Sequence, residues 1–115
     1  MKIEEWVSCK RQSCCLGGKK WSVPRLHQLA KDLPVMEVPL DHLDVAYYYS
    51  NLNLREFVMH MRAVKKADLS YPIILDEDGV LMDGRHRLMK AMLLGKKTIK
   101  VVRFEENPSP CSVDE

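Results

Sequence analysis

A short apolar hairpin that leads directly into a helix is the feature that most constrains the fold. In YPIILDEDGVLMDG, the apolar runs 72–76 and 80–82 predict two strands, and Gly79 supplies the left-handed backbone that a tight turn between them needs. The next segment, RHRLMKAMLLG, predicts a helix with Gly95 as its C-terminal cap. Because this helix is apolar on nearly every side, we expect it to be the buried central helix of the domain, starting near Gly84.

The flanking segments predict an α+β fold, a single domain in which a small mixed sheet and flanking helices surround that central helix. The further predicted elements are a short helix near 22–33, a strand at 35–40, a helix at 52–67 and a strand at 97–105. Asn53 is the expected cap of the second helix. The hydrophobic side of that helix is formed by Leu54, Phe57, Val58, Met61 and Val64. The three tyrosines at 47–49 favour a strand or loop.

The length of the chain sets its domain organisation. With 115 residues, 46% of them hydrophobic, we expect one domain with its own core. Residues 1–34 read as an N-terminal extension with no sustained hydrophobic period before its helix, 35–105 as the domain itself, and 106–115 as a polar, flexible tail.

Charge, hydropathy and cysteine content argue against some classes of protein. The 18 basic and 16 acidic side chains leave a formal charge of +2, so any basic site must be local. No apolar run approaches the roughly 18 to 20 residues of a membrane span, and the N-terminus lacks the apolar stretch of a secretory signal. We therefore expect a cytoplasmic protein with reduced cysteines. No zinc is expected, because adjacent Cys14 and Cys15 lack the spacing of zinc ligands.

The junction between the second hairpin strand and the helix carries an unusual group of basic residues. The first N–H groups of a helix attract anions, and basic side chains in the first turn cost the helix a few tenths to about 1 kcal/mol each. Gly84, Arg85, His86 and Arg87 therefore predict a cradle for phosphate or a similar oxyanion, in which glycine lets a ligand approach the backbone. The alternative is that Asp83 caps the helix and pairs with Arg87, leaving Arg85 and His86 solvated.

This junction resembles the core of the ParB/sulfiredoxin-like superfamily. The stretch MDGRHRLMKAMLLGKKTIKVV is similar to a pattern in which G-E-R-R or G-C-H-R begins a helix and alanine, glycine and an I-x-V strand follow. The likeness covers about residues 35–104. It implies a fold in which an arginine and the helix N-terminus hold nucleotide phosphates. Members include DNA-partition proteins that bind CTP, sulfiredoxin, a free-serine kinase and some nuclease-annotated proteins.

Two departures from the pattern narrow this implication. Sulfiredoxin needs a cysteine nucleophile between the glycine and the histidine, and Arg85 stands there, so sulfiredoxin chemistry is excluded. Partition proteins have glutamate at that position and further domains for which 115 residues leave no room. A nucleotide or phosphate cradle remains, in which we expect Arg87 to contribute more than Arg85.

Catalytic and metal roles follow from the same junction. His86 is a candidate to bind a phosphate oxygen or to shuttle a proton near neutral pH. Asp83 is a candidate catalytic carboxylate and a candidate Mg2+ ligand beside a triphosphate. Glu77 and Asp78 also lie near the hairpin, but DEDG is ordinary turn chemistry, which is the favoured interpretation.

The resemblance implies that the loop before the second helix lines the same pocket. Tyr48 would stack on a base, while Ser50 or Asn51 would bond a phosphate or a ribose. The alternative is that the tyrosines are half-buried strand residues. Glu56 is a weaker candidate for a general base.

Three hypotheses about function remain. The first is an NTPase or kinase-like enzyme that binds a nucleoside triphosphate with Mg2+ at the start of the helix. The second is a DNA-binding protein or nuclease that holds backbone phosphate in the same cradle, aided by Lys10, Arg11, Lys19 and Lys20 near two tryptophans. The third is a non-catalytic module of phage or plasmid origin that binds a protein partner through its N-terminal segment. None of the three involves a membrane.

Overall fold

The computed structural model of the chain describes residues 13–16, 18–46 and 51–113. Its elements are β1 (Ser13–Leu16), β2 (Lys19–Ser22), α1 (Val23–Ala30), β3 (Met36–Pro39), a 3-10 turn (Leu40–His42), α2 (Leu54–Lys66), β4 (Ile73–Leu75), β5 (Leu81–Asp83), α3 (Arg85–Leu93), β6 (Thr98–Arg103) and β7 (Ser112–Val113). Within these residues the fold is a small α+β domain with three helices, which confirms the predicted class. The segment 47–50, with its predicted Tyr48 and Ser50 contacts, lies outside the described residues.

A mixed four-stranded sheet organises the domain. Its strand order is β3-β6-β4-β5, with β6 antiparallel to β3 and parallel to β4. The strands β4 and β5 form the antiparallel hairpin predicted from the sequence, and Gly79 adopts the expected positive φ of 84° in its turn. A second sheet, β1-β2-β7, is antiparallel and joins residues from opposite ends of the described chain.

Both faces of the four-stranded sheet are covered. Ile73 on β4 packs in one hydrophobic cluster with Leu88 and Ala91 of α3. Its neighbour Ile74 points to the other face, because side chains alternate along a strand, and there it packs in a cluster with Trp21. A strand buried on both faces needs a continuous apolar run, which explains the sequence IIL.

The segments assigned from the sequence to an N-terminal extension and a tail pack on the same domain. The cluster around Trp21 includes Leu26 and Ala30 of α1, so residues of 13–30 cover one face of the central sheet. The Trp21 Nε1–H donates to the carbonyl of Pro108 at 2.8 Å, and the Cys111 amide donates to the Lys20 carbonyl at 2.6 Å. Residues assigned to the extension therefore contribute to the core, and residues assigned to the tail are hydrogen-bonded to them.

Local sequence chemistry sets the helix ends. The Ser22 side chain accepts a hydrogen bond from the Arg25 amide and caps α1. Asn53 caps α2 as predicted, and Glu56 completes a capping box by accepting from the Asn53 amide. At the end of α3, Gly95 has a φ of 68° and follows the last helical turn, as expected of a glycine cap.

The expectation that α3 is a buried helix was wrong. Of its residues, Leu88 and Ala91 are buried, whereas Leu93 is 75% exposed and Met92 and Leu94 are also exposed. The helix packs on one face of the sheet and against α2, and the side of its last turn that carries Met92 and Leu93 faces neither. Apolar composition therefore does not ensure burial, because a short helix has only as many covered sides as it has neighbours.

The predicted hydrophobic side of α2 is also mostly uncovered. Val64 is buried, but Leu54 is 85% exposed, Phe57 54%, and both Val58 and Met61 nearly half. The helix turns Ala63 and Val64 to the core instead. Hydrophobic periodicity identified the apolar face correctly, but it did not identify which face contacts the domain.

Each helix in the described ranges falls well short of a membrane span. The longest, α2, has 13 residues, and crossing a bilayer takes roughly 20 apolar ones.

Candidate anion site at the start of helix α3

Gly84 joins β5 to α3 in a conformation that other residues avoid. Its φ is 106° and its ψ is 23°, and it is the N-cap of α3. A Cβ at this position would lie 2.6 Å from Cγ2 and 2.9 Å from Cβ of Ile73, well inside van der Waals contact. The sequence suggested that glycine leaves room for a ligand. The structure shows instead that it leaves room for Ile73, so that the helix can begin directly against the sheet.

Asp83, at the end of β5, is a buried carboxylate with two basic partners. Its Oδ2 lies 2.6 Å from His27 Nε2 of α1 and 3.3 Å from an Arg87 nitrogen, and its side chain is 14% exposed. Burial alone would raise the pKa of Asp83, but the hydrogen bond from His27 and the charge of Arg87 outweigh it, and the pKa lies below its usual value. Asp83 is therefore an anion at neutral pH.

One nitrogen of Arg87 is committed to the protein itself, whereas its buried Nε has no hydrogen-bond partner among the described residues. One of its terminal nitrogens donates to Asp83 and to the carbonyl of Pro72 at 3.2 Å, and its side chain is also 14% exposed. The alternative interpretation of the sequence predicted that Asp83 pairs with Arg87, and this pair is present. It also predicted that Asp83 caps the helix, but the N-cap is Gly84. Arg87 is thus poorly placed to be the main ligand of an external phosphate.

Two histidines meet beside the first turn of α3. His60 Nδ1 of α2 lies 2.9 Å from His86 Nε2, with the rings tilted by 45°. Desolvation, His60 and Arg85 together lower the pKa of His86 to about 4. Desolvation and Arg85 also lower the pKa of His60, although Glu56 opposes them. Both rings are therefore neutral at pH 7, and one ring N–H is shared between them.

Arg85 is the exposed basic residue of this turn. Its charge acts on both histidines in the same direction, which indicates a positive potential at the start of α3. The partial positive charge of the helix N-terminus adds to that potential. Since Arg87 and His27 already balance Asp83, the arrangement suits an incoming anion more than a cation.

Two further residues that the sequence predicted for the site, Glu56 and Asn51, lie in and before α2. Glu56 is exposed, one helical turn before His60, and its carboxylate accepts the Asn53 amide in the capping box. Asn51 is exposed in the segment that precedes α2. The roles predicted for these two residues stay predictions.

Glu77 and Asp78 belong to the turn at the opposite end of β5 from Asp83. The Glu77 amide and carboxylate pair with Asn107 at 2.8 and 3.1 Å, and the Asp78 amide donates to the Asp76 carboxylate at 2.8 Å. Both residues therefore have structural roles in the turn, as the favoured interpretation held.

The geometry at Asp83 does not fit a magnesium ion. Mg2+ prefers oxygen ligands in a near-octahedral shell, whereas the Oδ2 atom of Asp83 faces an arginine and a histidine nitrogen. In the part of the chain that the structure describes, no three His, Cys, Asp or Glu side chains are grouped to hold a metal.

The sequence did not identify two of the histidines in this region. His27 and Asp83 are 56 residues apart, and His60 and His86 are 26 apart, so no local pattern joins either pair. The available signal was positional: His60 interrupts the apolar run FVMHM of a helix that was correctly predicted.

Comparisons with known proteins found no related protein. A scan against protein-family models gave no match, and neither the curated proteins nor the solved structures gave a significant one.

Proposed function

We propose that the protein binds a phosphate-like anion at the first turn of α3, and that Arg85 and the His60–His86 pair are its principal ligands. The observation that carries this proposal is the meeting of three basic side chains from two helices at a helix N-terminus, where the preceding carboxylate, Asp83, already has basic partners. Arginine and histidine N–H groups and the helix start are the donors that phosphate oxygens accept.

The natural source of such an anion is a nucleotide. The order strand, glycine, helix and strand in residues 81–103 supports the resemblance to the ParB/sulfiredoxin-like superfamily, in which this turn holds nucleotide phosphates. The proposal changes the expected roles of the arginines, because Arg87 is bound internally while Arg85 is exposed. We further propose that the protein acts in the cytoplasm, where nucleotides are abundant.

Anion binding at this site is coupled to proton uptake. The pKa of both histidines is depressed in the free protein, and a bound anion beside them favours their charged form and raises that pKa. Linkage requires the reciprocal effect, so the anion binds more tightly as pH falls, by up to about tenfold per pH unit for each proton taken up. Affinity should therefore increase between pH 7.5 and 5.5.

Calorimetric titration tests the proposal with three probes: sulfate, pyrophosphate and a nucleoside triphosphate without added metal. Sulfate does not titrate in this pH range, so its pH dependence reports on the protein alone. Arg85→Ala is the diagnostic variant, because an exposed first-turn arginine can be removed without opening the core. Lys97→Ala is the matched control, since it removes one exposed positive charge beyond the other end of α3.

The expected result is binding by the wild-type protein that Arg85→Ala weakens about tenfold or more and Lys97→Ala leaves unchanged. Tighter binding of the triphosphate than of pyrophosphate would assign the anion to a nucleotide. If only single- or double-stranded DNA binds, with an affinity that falls steeply with salt, the same turn holds backbone phosphate instead. The proposal fails if no probe binds at millimolar concentration, or if Arg85→Ala and Lys97→Ala behave alike.

A further inference from the structure

An apolar stripe runs along the outer side of α2. It consists of Leu54, Phe57, Val58 and Met61, at the spacing that places four side chains on one face of a helix. All four are exposed, Leu54 by 85% and Phe57 by 54%. Single exposed apolar side chains are ordinary, but four neighbouring large ones form a patch of the kind that marks an interaction surface.

The position of α2 in the domain is set by contacts that leave this stripe uncovered by the described residues. The helix start is held by the capping box of Asn53 and Glu56, and its end by the Lys90 ammonium group, which donates to the carbonyls of Lys65 and Ala67 at 2.8 and 2.7 Å. A different side of α2, which carries His60, faces α3, where the two histidines meet. Rotation of α2 to bury the stripe would break all of these contacts.

The charges of α2 are unequally distributed. Its exposed charged residues are Arg55, Glu56, Arg62, Lys65 and Lys66, four basic and one acidic. At about 100° per residue, Arg55, Arg62 and Lys66 fall within about 40° of one another along one flank of the stripe, and Lys65 falls on the stripe itself. The other flank packs toward the domain through Val64. The stripe therefore has a basic border on one side only.

These charges distinguish between the candidate occupants. A second copy of the chain paired antiparallel through the same face would bring the two basic borders together, with a single glutamate on each α2 to balance them. A parallel pairing would set each basic border against the flank through which the other copy's α2 packs on its own domain. A flat anionic bilayer favours a helix with basic residues on both flanks of its apolar face, which α2 lacks. An amphipathic segment with acidic residues along one edge matches both the stripe and its border.

We propose that the Leu54, Phe57, Val58 and Met61 stripe of α2 is a docking surface for an acidic amphipathic helix of a partner protein. The partner's apolar side chains pack on the stripe, and its carboxylates pair with the basic border. α2 spans about 20 Å, enough for three to four turns of such a helix. This surface is separate from the anion site, and neither proposal depends on the other.

A designed peptide provides the probe: a labelled helix-forming peptide of about 16 residues with leucines at i, i+3, i+4 and i+7, glutamates along one edge of that face and alanines elsewhere. A scrambled peptide of the same composition is the control, and fluorescence anisotropy measures binding. The diagnostic variants are Phe57→Ser with Met61→Ser, which removes half of the stripe, and Arg62→Glu, which reverses part of the border. Leu93→Ser is the control, since it removes an exposed apolar side chain from α3, outside the stripe.

We expect the designed peptide to bind and the scrambled peptide not to bind. The double variant should weaken binding at least tenfold and Arg62→Glu at least threefold, while Leu93→Ser leaves it unchanged. All variants should keep the wild-type melting temperature within a few degrees, because the side chains are exposed. The proposal is overturned if the peptides bind equally, if Leu93→Ser is as damaging as the double variant, or if the stripe variants unfold the protein. It is also overturned if they abolish self-association or vesicle binding instead, which would assign the stripe to a second copy or to a lipid surface.

Discussion

Substitution of Gly84 by alanine should destabilise the protein far more than substitution of a glycine with similar backbone geometry elsewhere. Left-handed backbone costs a residue with a Cβ about 1–2 kcal/mol. At Gly84 the added Cβ also meets Ile73 at 2.6 and 2.9 Å, and Ile73 is fully buried in a strand with partners on both sides. Overpacking of this kind costs about 1–3 kcal/mol, so we expect Gly84→Ala to cost about 2–5 kcal/mol in total.

Gly95→Ala is the matched control for this prediction. Gly95 has a φ of 68°, but nothing lies within 4 Å of the position its Cβ would take. Its substitution should therefore cost the backbone term alone, about 1–2 kcal/mol. Urea denaturation of the two variants, with equal m-values, measures the difference, which is the steric contribution of Ile73.

The steric explanation can also be tested by a double-mutant cycle. If contact with Ile73 is the cause, Gly84→Ala should cost less in an Ile73→Ala background than in the wild-type protein, because the methyl group nearest to the new Cβ is gone. Equal losses for Gly84→Ala and Gly95→Ala, or additive effects in the cycle, would refute the reasoning.

Two further predictions concern titratable groups. The pKa of His86 is lowered to about 4 in the folded protein, so the unfolded chain binds the proton more readily. The free energy of unfolding should therefore fall as pH decreases from about 6.5 to 4. After allowance for solvent screening, we expect a loss of about 1–2 kcal/mol. Urea titrations at several pH values should show a flatter profile for His86→Gln and an unchanged one for His42→Gln; identical profiles in all three proteins would contradict the prediction. The exposed Cys111 thiol accepts hydrogen bonds from the backbone amide of Ser22 and from the Arg25 side chain, and both lower its pKa. Iodoacetamide at pH 7.5, followed by peptide mass spectrometry, should modify Cys111 well before the buried Cys14, and Arg25→Ala should slow the reaction at Cys111.

Those parts of the fold that depend on neighbouring residues could be predicted from the sequence. The hairpin followed from its glycine turn, the start of α2 from the side chain of Asn53, and the end of α3 from Gly95. Each of these features is set by hydrogen bonds or backbone angles within a few residues, so the local sequence contains the necessary information.

The arrangement of partners across the fold could not be predicted in this way. Periodicity gave α2 an apolar face but not the fact that this face lies away from the domain. The basic residues after Gly84 were identified as a group, yet their division into an internally paired Arg87 and an exposed Arg85 depends on Asp83 and Pro72. These contacts depend on how the elements pack, which a single sequence does not specify locally.

The hydrogen bond from Trp21 to Pro108 joins residues that are 87 positions apart, and β7 pairs with β2 over a slightly longer separation in the sequence. At a synthesis rate of roughly 5–20 residues per second, a growing chain carries Trp21 for about 4–17 s before its acceptor is made. Through that interval the indole and the strand edge beside it have no native partner. In a nascent chain of this sequence, completion of the core around Trp21 is therefore delayed by that interval, and the exposed indole and strand edge are accessible to chaperones during it.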